Sequence, residues 1–340
     1  MPEMSIAEAL RQAIREEMAR DPWVFCIGED IGIEGGFGGA FTVTLGLSQE
    51  FGHDRILDTP ISEAGLAGVA IGAAMAGLRP IADVQYGDFL FCAMDQIANQ
   101  AAKMTYMSGG TVRVPMVMRV PVGATRRGAQ HAQSLEAFFT HIPGLKVVAP
   151  STAYDAKGLL KSAVRDDNPV LVFEHKLLYG SKGPRSEKGA LSPIGEVPDE
   201  EYLVPIGKGI VRREGRDVTI VGKLLTMYRA LEAAEELAAK GIEAEVIDPR
   251  SLVPLDKELI LESVRKTGRL VIVEEDNLTG GWAADISAIV AEESFFWLDA
   301  PIKRVSAPDT PAPFAPVMEE FYVPSVQQVV EAVEYTMGEG

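Results

Sequence analysis

Four histidines and two cysteines in 340 residues leave little room for several kinds of chemistry. Cys26 lies in a strand-like run and Cys92 in a helix-like one, with neither paired nor metal-ligand spacing. A disulfide framework is therefore excluded, and a reducing, cytoplasmic setting fits best. His53, His131, His141 and His175 form no pair at zinc spacing. No G-x-S-x-G elbow marks a nucleophilic serine. EGGFGGAF is rich in glycine but is neither a P-loop nor a G-x-G-x-x-G turn, and reads as a lid or tight turn. No apolar run approaches the roughly 20 residues that cross a bilayer. The opening MPEMSIAEALRQAIREEMARD mixes acids with bases and has no continuous apolar stretch, which argues against a signal or transit peptide. Bases are in deficit, 32 against 49 acids, and the net charge of -17 disfavours nucleic acid and anionic membrane surfaces as partners.

What is present is an α/β pattern, long enough for two buried cores. Ser5 and Glu8 make a capping box, after which Ile6, Leu10, Ile14 and Met18 recur every four residues and predict an amphipathic helix. Strand-like WVFCIG, RILD, PIADVQ, PMVMRV, LKVVAP and PVLVFE follow, most of them separated by helix-length segments such as FLFCAMDQIANQAAKMTYM and AYDAKGLLKSAVRD. Continuous apolar strands crossed by helices predict a mainly parallel sheet with helices on both faces. Periodicity lapses from Lys176 to Pro205. A second alternating series then begins with DVTIVG, EAEVID, RLVIVEE and PIKRV, with helices around LTMYRALEAAEELAAK and from Asp256 and Gly281. The expected organisation is one domain over 1–178, a linker carrying an insertion over 179–205, and a second domain over 206–340.

Ligands of parallel sheets sit at the carboxyl ends of the strands, which directs attention to EDIGIEGGFGGAF, DTPISEAG, QYGDF and VPVGATRRGAQHAQS. ILDTPISEAGLAGVAIGAAMAG, residues 56 to 77, combines a short strand with a helix of small residues whose entrance carries one ionisable group, Glu63. Two readings are open: a first-turn acid that suits the helix dipole behind a Ser62 cap, or a working carboxylate. Gly65, Gly68, Gly72 and Gly77 are costly in a helix unless another backbone comes close, which predicts tight packing of the kind found at subunit interfaces. His131, between Gln130 and Gln133 in a loop of Gly and Arg, is no core histidine and is a candidate catalytic group.

Together, DTPISEAGLAGVAIGAAMAGLRP, DQIANQAAKMTYMSGG, GAQHAQSLEAFFTHIPGLKVVAPSTAYDAKGLL and APDTPAPFAPVMEEFYVPS closely resemble the beta subunit of thiamine-diphosphate-dependent 2-oxo acid dehydrogenases, across essentially the whole chain. The relatives include the pyruvate, branched-chain and acetoin enzymes. The resemblance implies a transketolase-like pyrimidine-binding domain followed by a domain of the transketolase C-terminal type. It also implies an alpha2beta2 heterotetramer with beta–beta contact and thiamine diphosphate between alpha and beta. The alpha subunit would hold the diphosphate and Mg2+, since this chain has no Gly-Asp-Gly motif. Glu63 matches the glutamate that hydrogen-bonds an aminopyrimidine ring nitrogen, a task that calls for a dry apolar setting. Phe89 matches the aromatic residue stacked on that ring, and His131 the active-site histidine. A structural potassium ion would be held by Met116, Ala163, Val164, Asp166 and Asn168, oxygen ligands that suit a hard cation.

Two departures stand out. SKGPRSEKGALSPIGEVPDEEY is about ten residues longer than the usual interdomain link of the family, and reads as a surface elaboration. Arg126 and Arg127 stand where relatives are glycine-rich, and can bind a carboxylate or pair with alpha-subunit acids. The leading expectation is decarboxylation of a 2-oxo acid with acyl transfer to lipoamide. Acetoin cleavage by the same machinery is the near alternative, and a non-catalytic binding or electron-transfer subunit the distant one. Residues 270–340 hold thirteen acids against Lys303 and Arg304, which offers either a solvated surface or a docking face for the lipoyl acyltransferase core.

Overall fold

The chain enters through β1 (Glu3–Ser5), and Ser5 then caps α1 (Ile6–Arg20) with its hydroxyl while the Glu8 carboxylate accepts from the Ser5 amide at 2.9 Å. This is the capping box the sequence predicts. The computed structural model describes residues 2–180, Glu187 and 190–338. Most of the expected insertion at 181–194 therefore lies outside the described residues.

The apolar runs become β2 (Val24–Gly28), β3 (Ile56–Asp58), β4 (Arg79–Asp83), β5 (Val117–Val122), β6 (Lys146–Val148) and β7 (Val170–His175), mutually parallel in the order β6-β7-β5-β4-β2-β3. Between them run α2 (Leu47–Phe51), α3 (Glu63–Met75), α4 (Met104–Met107), α5 (Glu136–Thr140) and α6 (Ala153–Arg165). The long helix expected over 89–107 is instead a 3₁₀ segment (Gly87–Ala93), a π segment (Gln96–Ala101) and the single turn of α4. Winding tightly at its start, this stretch delivers Asp88 and Phe89 to the loop that carries His131. Beyond it, β8 (Ile194–Glu196) pairs antiparallel with β1.

The second sheet is built from β9 (Ile210–Arg213), β10 (Val218–Gly222) and β11 (Ala244–Asp248), joined by β13 (Leu270–Asn277) and β14 (Lys303–Ala307) in the order β14-β13-β10-β11-β9, with β9 antiparallel. Its helices are α7 (Leu225–Ala238), α8 (Lys257–Thr267), α9 (Trp282–Glu293), α10 (Pro316–Tyr322) and α11 (Val326–Met337). Alternation decides the two cores. Ile220, Val246, Val271 and Val273 pack with α7 and α11, while Val221, Ile247 and Ile272 lie in the cluster that includes Leu261 of α8 and Ile286 of α9. Both faces are thus covered, as in the first sheet. One strand breaks the division: β12 (Ser251–Val253), which follows β11, adds antiparallel to β6 and so completes the seven-stranded sheet.

The first sheet buries a guanidinium. Arg119 of β5 is 1% exposed, and it pairs with Glu174 of β7 at 2.6 Å and with Asp83 of β4, while the Tyr179 hydroxyl donates to the same Glu174. Burial is the main cause that lifts Asp83 to about 6, Arg119 opposing and Glu174 adding. Removing the cation would leave two carboxylates facing each other in the core. Arg119→Met is therefore expected to cost about 3–5 kcal/mol in urea unfolding. A loss under about 1 kcal/mol would show that Asp83 and Glu174 do not need the guanidinium.

Candidate active site

All the candidate groups stand at the carboxyl edge of the first sheet. Glu29 follows β2, Glu63 follows β3, Tyr86 and Phe89 follow β4, His131 follows β5, and Lys176 follows β7. The sheet topology alone assembles them, since parallel strands end on one side.

Glu63 is the first residue of α3, whose N-cap Ser62 accepts from Gly65 N at 3.3 Å. It is half-buried. The dry setting expected for it is not supplied by this chain alone. The face of α3 that carries Ala64, Gly65, Val69, Gly72 and Ala76 is open, with Val69 55% exposed and the preceding Ile61 83% exposed. A side chain added at Gly72 would meet nothing within 4 Å. Packing among the described residues therefore does not account for glycine at this position. Beside Glu63 lies Glu29, a residue that no sequence motif singled out. Glu29 is 5% exposed, and burial first, then the charge of Glu63, raises its pKa, while the Ser62 backbone amide opposes the shift. Its Oε1 has no hydrogen-bond partner among the described residues.

Phe89 and His131 meet edge to face with centroids 5.2 Å apart, and Tyr86 closes the group at 5.0 Å from His131 and 5.8 Å from Phe89. The loop bearing His131 is held by several bonds. Gln133 donates through Nε2 to Asp88 at 2.7 Å, Gly123 N donates to Gln133 O at 3.1 Å, and the Lys176 ammonium donates to the His131 carbonyl. α3 packs against the 3₁₀ segment that carries Phe89, which brings the carboxylate element and the aromatic group side by side.

The second half of the chain supports this edge from below. Glu275 of β13 accepts from His175 Nε2 at 2.8 Å and from the Ala124 amide. Burial works against its charge, but His175 and Ala124 outweigh it and hold the carboxyl low. Lys223 pairs with Glu136 at 3.0 Å and with Asp276 at 2.9 Å, all three buried. The Arg126 backbone amide donates to Glu319 while its guanidinium pairs with Glu320 at 3.5 Å, and Arg127 pairs with Glu187 at 2.8 Å. The two arginines are thus engaged within the chain. Four of the thirteen C-terminal acids, Glu274, Glu275, Asp276 and Glu319, are interior rather than surface groups, which corrects the view of that segment as one acidic face.

Among the described residues, no group of three His, Cys, Asp or Glu side chains can hold a metal ion. The potassium ligands expected from the sequence do gather near the end of α6, but other donors already reach them. Met116 O accepts from Val170 N at 2.9 Å, Ala163 O from Asp166 N at 3.2 Å, and Arg79 Nη1 donates to Val164 O at 2.9 Å and Asp166 O at 3.0 Å. The Asp166 carboxylate accepts from Asn168 and from Lys146. With two cationic side chains present, this geometry does not fit a further cation unless Arg79 moves. His53 is exposed, and no helix among the described residues is long and apolar enough to cross a membrane.

Models of known families match the chain in two parts: the transketolase pyrimidine-binding domain over residues 2–182 and the transketolase C-terminal domain over 207–329. The chain is 48% identical over 335 residues to the 2-oxoisovalerate dehydrogenase subunit beta of Bacillus subtilis, covering 98% of each. It is 49% identical over 345 residues to the acetoin:2,6-dichlorophenolindophenol oxidoreductase subunit beta of Cupriavidus necator, covering 99% of this chain and 98% of that one. To the mitochondrial pyruvate dehydrogenase E1 component subunit beta-1 of Arabidopsis thaliana it is 47% identical over 331 residues, 97% of this chain and 88% of that protein. Among solved structures, a split-gene transketolase in an inactive beta4 tetramer superposes with a TM-score of 0.78 at 26% identity, covering 98% of both chains.

The turn after β5 is the tightest point of the edge. Gly123 has φ +95, and a Cβ there would run into the His175 imidazole. Gly123→Ala is expected to lose about 1–3 kcal/mol of stability by backbone strain alone, with the His175–Glu275 contact disturbed in addition. Thermal unfolding measures it, and an unchanged midpoint would mean that the turn has another conformation open to it.

Proposed function

The chain belongs to the beta subunits of thiamine-diphosphate-dependent 2-oxo acid dehydrogenases, and on that premise we propose that it supplies the pyrimidine side of the active site, with Glu63, Phe89 and His131 as its working residues. The observation that carries this reading is the placement of a half-buried carboxylate at the head of an open, small-residue helix beside a Tyr–Phe–His group. The donor set fits a flat heteroaromatic ring: one carboxylate, one aromatic face and an apolar wall. The Gly-Asp-Gly motif expected for the diphosphate and Mg2+ is not in this sequence. We therefore assign those groups to an alpha subunit, in a proposed alpha2beta2 assembly with beta–beta contact.

Bound thiamine diphosphate supplies a carbon nucleophile and an electron sink for cleaving the bond next to a carbonyl. Glu63 Oε exchanges a proton with a ring nitrogen. Its position in the first turn of α3 places the carboxylate, and the partner's surface, closing over Ala64, Val69 and Gly72, would exclude water from it. Phe89 offers its face to the ring. His131, braced by Tyr86, presents its imidazole to the substrate carbonyl or to the acyl group as it passes to lipoamide. Substrates named for the relatives divide at similar identity, so a 2-oxo acid is the leading reading and acetoin the second. Potassium at Met116, Ala163, Val164, Asp166 and Asn168 is part of the proposal only with Arg79 withdrawn from Val164 and Asp166.

In the reconstituted alpha–beta complex, Glu63→Gln is expected to cut turnover by about two to four orders of magnitude with assembly intact, because the amide cannot accept the proton. The assay compares pyruvate, branched 2-oxo acids and acetoin, and turnover near that of the wild type would overturn the assignment. The second domain also presents Asp285 and Glu292 on the exposed side of α9, seven residues apart and so on one face. We propose this face, rather than the buried Glu319, as part of the docking surface for a basic domain of the acyltransferase core. Reversing both acids to Lys is expected to slow core association and flatten its salt dependence, leaving turnover with an artificial acceptor unchanged. Association that is insensitive to the reversals leaves these acids with solubility alone.

A further inference from the structure

Lys176 is the first residue beyond β7 and is 1% exposed. A lysine is almost never buried without a partner that repays its desolvation. Here the ammonium donates to the main-chain carbonyl of His131 and stands 5.0 Å from the centroid of the Tyr86 ring, the ring that braces His131. We propose that Lys176 is a positioning residue for the reaction set out above, its charged ammonium locking the His131 loop against Tyr86 and Phe89. The inference rests on the role given to His131 under the proposed function.

Three features make the charge, and not only the shape, of Lys176 matter. The acceptor is a backbone carbonyl, so any donor could satisfy it, but only a cation also binds the Tyr86 face. The groups around it come from every neighbouring element: Asp88 from the 3₁₀ segment, Glu275 from β13, Glu187 from the interdomain segment and Glu319 from α10, against the cationic Arg127. His175, next in the chain, is spent on Glu275. Burial pulls the Lys176 pKa down to about 8 and these acids pull it back only in part. The ammonium is therefore present at neutral pH and is lost as pH rises through about 8, which ties the hold on His131 to a proton.

The test uses the alpha–beta complex with the substrate that the wild type turns over best, and compares Lys176→Met with Lys176→Arg. Lys176→Met is expected to lower kcat/KM for acylation of a lipoyl domain about ten- to hundredfold, chiefly through kcat. Lys176→Arg should recover most of that, and its alkaline limb should move well above the wild type's limb near pH 8, because a guanidinium does not titrate there. Wild-type kinetics in Lys176→Met, equal inactivity in both variants, or an alkaline limb unmoved in Lys176→Arg would each overturn the inference. If Lys176→Met does not fold, the pH profile of Lys176→Arg decides alone. If the wild-type complex turns over neither 2-oxo acids nor acetoin, the failure belongs to the proposed function. Positioning is then read in the free chain by hydrogen exchange over residues 123–134: faster in Lys176→Met but not in Lys176→Arg supports it, and no change in either overturns it.

Discussion

One buried carboxylate fixes how the two sheets meet. Glu275 lies near the carboxyl end of β13, yet its oxygens are spent on the first sheet, one on His175 at the end of β7 and the other on the Ala124 amide just past β5. The Leu177 amide donates to His175 Nδ1 at 3.2 Å, so the hydrogen-bond pattern puts the imidazole proton on Nε2, aimed at Glu275. A buried carboxylate is tolerable only with its lone pairs filled. Any shift of β13 relative to β5 and β7 would strip both donors at once, which makes the interface a register and not merely a contact. The Lys223 pairs with Glu136 and Asp276 act in the same way one element further on. The strand β12, lent by the second unit to the first sheet, adds a main-chain tie with Ala149 N donating to Arg250 O at 2.8 Å.

With the strand ends fixed, the loops that leave them inherit the precision. Gly123 turns immediately after β5, its amide bonded to Gln133, whose side chain is bonded to Asp88. His131 is therefore set from three sides: from β5 through Gly123, from β4 through Asp88, and from β7 through Lys176. Against this rigid half stands the open half. Ile61, Val69 and Met75 leave an apolar surface on and beside α3 that a finished protein would cover. On the proposed function, a partner that covers this surface would also bury Glu63, so that assembly would complete the setting of the carboxylate. Within this chain the carboxylate is only half-buried, and the cost of drying it falls outside the folding of the chain.

Much of this was legible in the sequence. The capping box at Ser5 and Glu8, the six apolar strands of the first series and the four of the second are local signals, and each corresponds to a strand or helix of the structure. What escaped was non-local. β9 and β12 are short and only partly apolar, and their strand character comes from the neighbours they pair with, Ala244–Asp248 and Lys146–Val148. The stretch over 89–107 has helical composition, but the demands of Asp88 and Phe89 on the His131 loop override propensity, as tertiary context commonly does. Glu63 and His131 stood out by their local surroundings, and the family resemblance added Phe89 and a role for each. Glu29 and Lys176 did not stand out, because their importance is burial, which composition does not display. One signal was available: in VLVFEHKLLYG three ionisable residues in succession, Glu174, His175 and Lys176, interrupt an apolar strand at its carboxyl end, and all three are buried.

The same distinction governs the acids of the second domain. A count along the sequence treats Glu274, Glu275 and Asp276 as surface charge, but they sit near the carboxyl end of β13, an interior strand, and are buried. Burial is the first cause that lifts Glu274 to about 8, with Asp276 adding and Lys223 opposing, so near neutral pH it favours the protonated form and contributes little to the external field. Glu275 is held charged by His175, and its field is consumed inside the interface. The potential that a basic partner could sense comes instead from Asp285, Glu292, Asp299, Asp309, Glu320 and Glu331, which are exposed. Charge has thus been divided between two tasks: interior acids orient the sheets that shape the active site, and exterior acids, screened over about 8–10 Å, act only on what comes close to the second domain.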